Sequence, residues 1–336
     1  MKHTTIKDIA KKLNISASTV SRALSDHPDI SDETKEKVQS LAREMDYHLN
    51  TIAKSLQQKQ SLIIGVVVPQ VKHYFFASIM AGITDVAYQA GYTVMICQSN
   101  EDYQREIINI NALISHRVAG LLISVSSSTK SCDHFKKLKQ RGIPLVFFDR
   151  VCEGMDVSSV VVDDYEGAFH ATEYLIEKGY RRIGMLAGPP FLSIAHSRFE
   201  GYRDALQKHQ SEMRPEWIVY GGLNEEDGAD SLERLLLQAD PRPDALFCVT
   251  DPVALGALLR LKEKKIRIPD EMAVMGFTDN PEASMIEPPL TTVRQPAYQI
   301  GKTAAELLLD QIRNLSSRNR PVQKILKTEL IIRKSA

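Results

Sequence analysis

The stretch IKDIAKKLNISASTVSRAL, residues 6–24, decides how this chain is read. Ile6, Ile9, Ala10 and Leu13 recur at helical spacing. Thr5, followed three residues later by Asp8, is a capping-box pattern. Asn14 tolerates the left-handed conformation that ends a helix. Ser16 is then placed to cap a second helix, with Val20, Ala23 and Leu24 turned inward. Ala10 sits where the two helices cross, and a small side chain suits the crossing. Ala17, Ser18, Ser21 and Arg22 remain outward on the second helix. A short helix of small polar residues with one arginine fits the major groove of DNA. Ser16, Thr19 and Ser21 are short hydroxyl donors suited to phosphate oxygens, and the helix N-terminus adds a positive end. The same spacing also fits a solvated helical hairpin in a capping subdomain.

Working outward, Ser31 caps a third helix with the stripe Val38, Leu41, Ala42 and Met45. Three short helices of about 45 residues make a marginal unit that gains from a partner. Residues 47–60 change character. Asn50 can cap TIAKSLQ, a helix too short to stand alone in water, and Gln57-Gln58-Lys59-Gln60 follows as a polar tether. This segment is expected to become helical only against a surface. Ala53 and Leu56 then share one side. Leu56 would serve either as a minor-groove wedge or as packing onto the domain that follows.

The charge layout agrees with a nucleic-acid partner at the front end. The whole chain of 336 residues balances 42 Lys+Arg against 42 Asp+Glu. Residues 1–25, however, hold five basic residues and one acid. A hydrophobic content of 43% with 25% charged residues is soluble-globular composition. No apolar run approaches the roughly 20 residues of a membrane span, and the polar N-terminus has no signal-peptide core. A cytoplasmic protein is expected. Cys97, Cys132, Cys152 and Cys248 lack pair spacing, which predicts neither a disulfide framework nor a thiolate metal site.

From residue 61 the pattern alternates strand and helix. LIIGVVV (62–68), YTVMICQ (92–98), GLLISV (120–125), PLVFFD (144–149) and SSVVVDD (158–164) form a first series. RIGMLAG (182–188), WIVYG (217–221), ALFCV (245–249) and AVMGF (273–277) form a second, with a helix at 297–314 and a strand at 325–332 to close. Two βαβ series imply two parallel sheets. Ligands of such sheets bind beyond the carboxyl ends of strands. The residues there include Gln70, His73 and Phe75, then Asp149-Arg150, Asp163-Asp164, Thr250-Asp251 and Thr278-Asp279, with Arg198 opening a helix. Phe75, Phe148, Phe191 and Phe277 are candidate covers for a flat ligand face. Each acid is equally readable as a helix N-cap. The Gly-rich nucleotide loops, the nucleophile elbow and the paired-histidine metal motif are all missing from the sequence, so no enzyme activity, cofactor or metal is expected.

These segments together resemble the LacI/GalR family of bacterial transcription regulators. The head matches as TIKDIAKKLNISASTVSRALS (5–25) and ISDETKEKV (30–38), and the hinge as YHLNTIAKSL (47–56). The body matches as GIPLVFFDR (142–150), VVVDDYEGAFHATEYLIEKGYRRIGMLAG (160–188), SRFEGYRDAL (197–206), IPDEMAVMGFTD (268–279) and PPLTTVRQPAYQIGKTAAELLL (288–309).

The resemblance implies a helix-turn-helix DNA-binding domain at 1–46 and a hinge helix with linker at 47–60. It implies a two-lobed, periplasmic-binding-protein-like body at 61–336. Lobe 1 is expected at about 61–162 and 292–322, and lobe 2 at about 163–291 and 323–336. Ser16, Ala17, Ser18, Thr19, Ser21 and Arg22 would face the major groove, and Asn50, Ala53, Lys54 and Leu56 the minor groove. His73, Phe75, Asp149, Arg198, Thr250 and Thr278 would hold a small-molecule effector, a sugar or sugar derivative. The implied protein is a repressor that binds operator DNA as a homodimer. A solute-binding protein or cleft enzyme without DNA activity is the alternative.

Departures from the family pattern are Asn14 for Gly, Leu49 for Pro, Lys54 for Arg, and Thr250 and Thr278 for more polar or acidic residues. The last two leave a less acidic cleft around Arg198, which favours a ligand carrying a carboxylate or phosphate. The chain ends at Arg333-Lys334-Ser335-Ala336 without the leucine-heptad tail of tetrameric relatives, so a dimer is expected.

Overall fold

The structure is a computed structural model that describes residues 4–47, 61–314 and 320–336. The chain divides into two compact units, Met1–Ser61 and Leu62–Ala336. Asn50, Ala53, Lys54 and Leu56, and with them the expected hinge helix, lie outside the described residues.

The first unit contains α1 (Ile6–Leu13), α2 (Ala17–Leu24) and α3 (Asp32–Glu44). The Asp8 carboxylate accepts from the Thr5 N–H at 2.9 Å and the Thr5 hydroxyl at 2.7 Å, which secures the first turn of α1. Asn14 ends α1 at φ 53° and ψ 41°. That is the left-handed region, where a short amide side chain costs little. Ile9, Ala10, Val20, Ala23, Val38 and Ala42 are buried together at the meeting of the three helices.

The second unit holds two six-stranded sheets. Its first series is β1 (Ile63–Val68), α4 (Tyr74–Gln89), β2 (Thr93–Gln98), α5 (Tyr103–Ser115), β3 (Gly120–Ile123), α6 (Asp133–Gln140), β4 (Leu145–Phe148) and β5 (Ser158–Val162). The second series opens with α7 (Asp164–Glu177), β6 (Ile183–Ala187), α8 (Ser193–Lys208), β7 (Ile218–Tyr220) and α9 (Glu225–Gln238). It continues with β8 (Ala245–Cys248), α10 (Asp251–Glu263), β9 (Ala273–Thr278), α11 (Glu282–Met285) and β10 (Thr291–Arg294). The chain closes with α12 (Ala297–Arg313), β11 (Gln323–Leu326) and β12 (Glu329–Ile331).

The strand orders are β11-β5-β4-β3-β1-β2 and β12-β10-β9-β8-β6-β7. Every pairing is parallel except β10 with β12. The central strands β3, β4 and β8 are buried along their whole length. Their continuous apolar runs follow from having both faces covered.

The structure corrects the expected lobe boundaries. Residues 325–332 are not one strand. β11 pairs with β5 in the first sheet, and β12 pairs with β10 in the second. Residues 323–326 therefore belong to lobe 1, and β10, at 291–294, to lobe 2. The chain stays extended while it changes lobes, so its side-chain period is unbroken and the change of partner leaves no mark on it. One apolar cluster joins Val66 and Phe148 of the first sheet to Ile300 and Leu308 of α12 and to Phe247 and Phe277 of the second. Close approach between α4 and α12 depends on glycine: a Cβ on Gly301 would overlap the Ile79 carbonyl oxygen, and one on Gly82 that of Tyr298.

A second correction concerns cysteine. Cys132 and Cys152 form a disulfide, with Cα atoms 5.9 Å apart. They are 20 residues apart in sequence. The β3–α6–β4 crossover brings the entry of α6 beside the segment that leaves β4, and sequence spacing does not reveal this.

Candidate nucleic-acid interface and ligand cleft

α2 presents the expected face. Val20 and Ala23 are buried, whereas Ser16, Ala17, Ser18, Ser21 and Arg22 are exposed and Thr19 is half-buried. The Ser16 oxygen accepts the Thr19 N–H at 3.0 Å. It also lies 2.7 Å from the Ser18 hydroxyl and 2.8 Å from that of Thr19. Three hydroxyls therefore gather on the positive end of the helix, where anions are favoured. Arg22 makes no ion pair among the described residues. Lys12, Lys35 and Lys37 are paired with Glu44, Asp26 and Glu33. The free arginine is thus on the exposed face of the capped helix.

In the second unit, His73, Phe75, Asp149, Arg198, Thr250 and Thr278 all line one cavity of about 410 Å³. The topology explains their meeting. Lobe 1 supplies Gln70, His73, Phe75 and Phe76 after β1, Asn100 and Glu101 after β2, Ser127 after β3, and Asp149-Arg150 after β4. Lobe 2 answers with Asn224 after β7, Thr250 after β8, Asn280 after β9 and Gln295 after β10, while Arg198 comes from α8. Asn100, Glu101, Asp149 and Thr278 hold φ at 54°, 58°, 60° and 151°. Such costly backbone gathers where surrounding structure fixes a site.

The polar groups of this cavity are only partly satisfied. Among the described residues, six buried side-chain N or O atoms lack a hydrogen-bond partner. Four of them stand without any partner in cavity-lining residues, Gln70 Oε1, Arg150 Nε, Asn280 Oδ1 and Gln295 Oε1, whereas Arg198 Nη2 is ion-paired at 2.6 Å from Asp164 Oδ1. Unpaired buried polar atoms are rare and costly. Their concentration in one cavity marks it as built for a polar ligand.

Charge in the cleft is balanced rather than positive. Arg198 is 1% exposed; its Nε donates to Asp164 Oδ1 at 2.8 Å and its Nη1 to the Val249 carbonyl at 2.5 Å. Its guanidinium lies 3.7 Å from the centre of the Phe277 ring. Arg150 Nη1 reaches both Glu101 oxygens at 2.9 Å. Both arginines are therefore already matched by carboxylates, and Asp149 and Asp227 also line the wall. The wall is thus more acidic than the substitutions Thr250 and Thr278 led one to expect. Burial raises the Asp164 carboxyl to about 6 against the pull of Arg198, and holds Asp149 above its ordinary range as well. Burial also keeps the His73 imidazole below its usual range, against the pull of Glu225.

Other rim residues have structural roles. Asp163 caps α7 by accepting the Glu166 N–H at 3.0 Å. Asp251 is fully buried and accepts from the Thr292 hydroxyl at 2.5 Å and the Asn280 N–H at 2.9 Å. Among the candidate aromatic covers, Phe75 lines the cavity and Phe277 backs Arg198, whereas Phe148 is buried in the core and Phe191 is half exposed outside the cavity. Sequence reading missed Glu101, Asn100, Asn224, Asn280 and Gln295. The rule that placed Asp149, residues just after a strand end, would have found Glu101 as well. Among the described residues no cluster of metal-ligating side chains occurs, and no helix is long and apolar enough to cross a membrane.

Comparison with known proteins gives matches to both units. Residues 5–50 match the family of bacterial regulatory proteins, lacI family. Residues 61–333 match the periplasmic binding proteins and sugar binding domain of the LacI family. The chain is 32% identical over 335 residues to the HTH-type transcriptional repressor PurR of Haemophilus influenzae (strain PittEE), covering 98% of each. It is 33% identical over 333 residues to the HTH-type transcriptional repressor CytR of Escherichia coli (strain K12), covering 98% of this chain and 96% of that one. Among solved structures, it is similar to the lac repressor dimer bound to operator and the anti-inducer ONPF, with a TM-score of 0.87, 26% identity and 99% coverage of both chains.

Proposed function

This chain belongs to the LacI family of bacterial regulatory proteins, and we propose from that premise how it works as a sequence-specific DNA-binding regulator. It is read as a repressor that acts in the cytoplasm as a homodimer on near-palindromic operator DNA, without catalysis. Ser16, Ala17, Ser18, Thr19, Ser21 and Arg22 contact the major groove; Ala17, Ser18 and Arg22 carry most of the base readout. Residues 47–60 form the hinge, in which Asn50 opens the helix, Ala53 and Lys54 lie along the DNA, and Leu56 enters the minor groove.

The effector is a neutral sugar or sugar derivative held in the cleft by His73, Phe75, Asp149, Arg198, Thr250 and Thr278. The observation that carries this reading is the pairing of two features in one chain. One is a capped, exposed helix with a free arginine. The other is a two-lobed cavity lined by four buried polar atoms without a partner, Gln70 Oε1, Arg150 Nε, Asn280 Oδ1 and Gln295 Oε1.

The effector acts by linkage. A ligand that binds one arrangement of the lobes more tightly shifts the population of that arrangement, and DNA affinity changes by the same coupling energy. Selection of binding sites from random duplex DNA by the full-length protein, at stated salt, tests the regulator reading. Recovery of a near-palindromic motif supports it, and recovery of unselected DNA contradicts it.

A further inference from the structure

The Cys132–Cys152 disulfide joins two segments of lobe 1 that each reach toward lobe 2. On one, Lys130 Nζ stands 5.5 Å from the centre of the Phe191 ring. On the other, the Val151 N–H donates to the Ser193 hydroxyl oxygen at 3.5 Å. Phe191 and Ser193 mark the entry to α8, the helix that brings Ile194 and Arg198 to the cavity. The bridged segments also belong to the cavity wall, through Ser127 on one and Asp149-Arg150 on the other. Both contacts across the cleft are at the long end of their range, so a small loss of anchoring in lobe 1 undoes them. Residues 126–129 are anchored without sulfur. Glu106 accepts the Ser126 N–H at 2.7 Å and the Thr129 hydroxyl at 2.9 Å, and Glu101 accepts the Ser127 N–H at 2.6 Å. β3 and β4 pair directly. The disulfide is therefore added to a lobe that is already built, and what it fixes is the run from Lys130 to Cys132 against residues 151–152.

We propose that Cys132 and Cys152 form a thiol–disulfide exchange site that sets lobe closure: joined, they hold Lys130 and Val151 against the entry to α8, and reduced, they release that lip of the cleft. This rests on the reading of the chain as a cytoplasmic regulator. Beside the chromosome small thiols keep cysteines reduced, and a bridge that forms there is a signal rather than a staple. Cys132 is half-buried and Cys152 buried, so attack falls on Cys132. A small thiol, as its thiolate, bonds to Cys132 Sγ; the S–S bond breaks, and Cys152 leaves as a thiolate and takes up a proton. A second small thiolate attacks the sulfur of the first and releases Cys132, which takes up its own proton. Two small thiols end as one disulfide and the protein as two thiols, two electrons having moved. The Cys132 thiol then has the Glu153 carbonyl, 3.7 Å from its sulfur, to donate to. A small disulfide reverses the sequence. Because lobe closure and DNA affinity are linked, the state of the bridge also shifts DNA affinity.

The test compares full-length protein equilibrated with reduced and with oxidised glutathione. Alkylation and mass spectrometry should find Cys132 and Cys152 modified together after reduction and neither after oxidation, with cooperative thermal unfolding in both states. On reduction, amide exchange should speed up at least fivefold in residues 130–132 and 151–153, and in 191–193 across the cleft, while β3 and β4 stay unchanged. A purely structural bridge would leave 191–193 unmoved. C132S/C152S should exchange as the reduced wild type does under either condition; if it does not fold, the two states of the wild type decide alone. On a duplex recovered by site selection, the dissociation constant should differ at least threefold between the two states. A bridge that glutathione cannot open in the folded protein, equal exchange at 191–193 in both states, or equal DNA affinity in both would each overturn the proposal. A wild type that binds no selected duplex in either state sinks the regulator reading instead, and exchange at 191–193 then decides the control of lobe closure by itself.

Discussion

Arg198 and Asp164 form an ion pair across two helices of lobe 2, with Nε–H donating to Oδ1 at 2.8 Å and Nη2 2.6 Å from the same oxygen. Both side chains are less than a tenth exposed. Arg198 stands at the wall of the cavity, with Phe277 behind the guanidinium. Arg198 is therefore a held group whose charge is already spent.

Breaking a buried pair from one side leaves a charge without a partner, which costs about 3–5 kcal/mol. D164N is expected to lower urea-unfolding stability by that order. The double variant R198M/D164L, which removes both charges, should recover most of that loss. Equal stability of D164N and wild type would show that Asp164 does not neutralise Arg198.

Asp251 sets a pH dependence of its own. It is fully buried and raised by burial to about 6 from an ordinary 3.8, the Thr292 hydroxyl and Asn280 amide opposing the rise. Between those values the folded chain holds a proton that the unfolded chain has lost. Asp251 therefore contributes a fall in stability of about 3 kcal/mol as pH rises from about 4 to 6, and Asp164, also raised to about 6, adds a fall of the same sign in the same window. Glu173 is lowered to about 2 by Lys208 and His209. It has the opposite sign and acts below pH 4.5, so it does not contribute between pH 5 and pH 7. Urea unfolding at pH 5 and pH 7 should show a larger drop for wild type than for D251N. An identical drop in both would exclude Asp251 as the titrating group.

Gly301 carries a packing prediction. An added methyl meets the Ile79 carbonyl oxygen on the facing helix, with no side chain there to move aside. G301A should cost about 1–3 kcal/mol through overpacking. G142A provides the contrast: its Cβ meets nothing within 4 Å, but φ is +69°, so its cost is the backbone cost of about 1–2 kcal/mol. A neutral G301A in thermal unfolding would show that α4 and α12 can separate freely.

Features set by local chemistry were legible in the sequence. The Thr5–Asp8 cap, the Asn14 turn and the Ser16 cap all occur where their residue types require them. Asp149, Thr250 and Thr278 lie at the ends of β4, β8 and β9, which is where strand-end reasoning looked, whereas Arg198 sits within α8 and was singled out by the family resemblance. What was not legible depends on which distant segments meet. The Cys132–Cys152 bond arises from a crossover. The division of residues 323–331 between sheets arises where an extended chain changes partners without changing its period. The charge balance of the cleft required knowing that Glu101 reaches Arg150 across 49 residues of sequence. Counting acids along the chain gave the opposite sign.

The central claim is that the exposed face of α2 reads DNA. The most direct measurement is selection of binding sites from random duplexes by full-length wild type and R22A at one salt concentration. Arg22 is expected to specify one base pair per half-site, a discrimination of about 1–3 kcal/mol. The wild type should therefore yield a two-fold motif, and R22A the same motif with the preference lost at one symmetric pair of positions. Identical motifs of identical strength from both proteins would contradict the assignment of α2 as the reading helix.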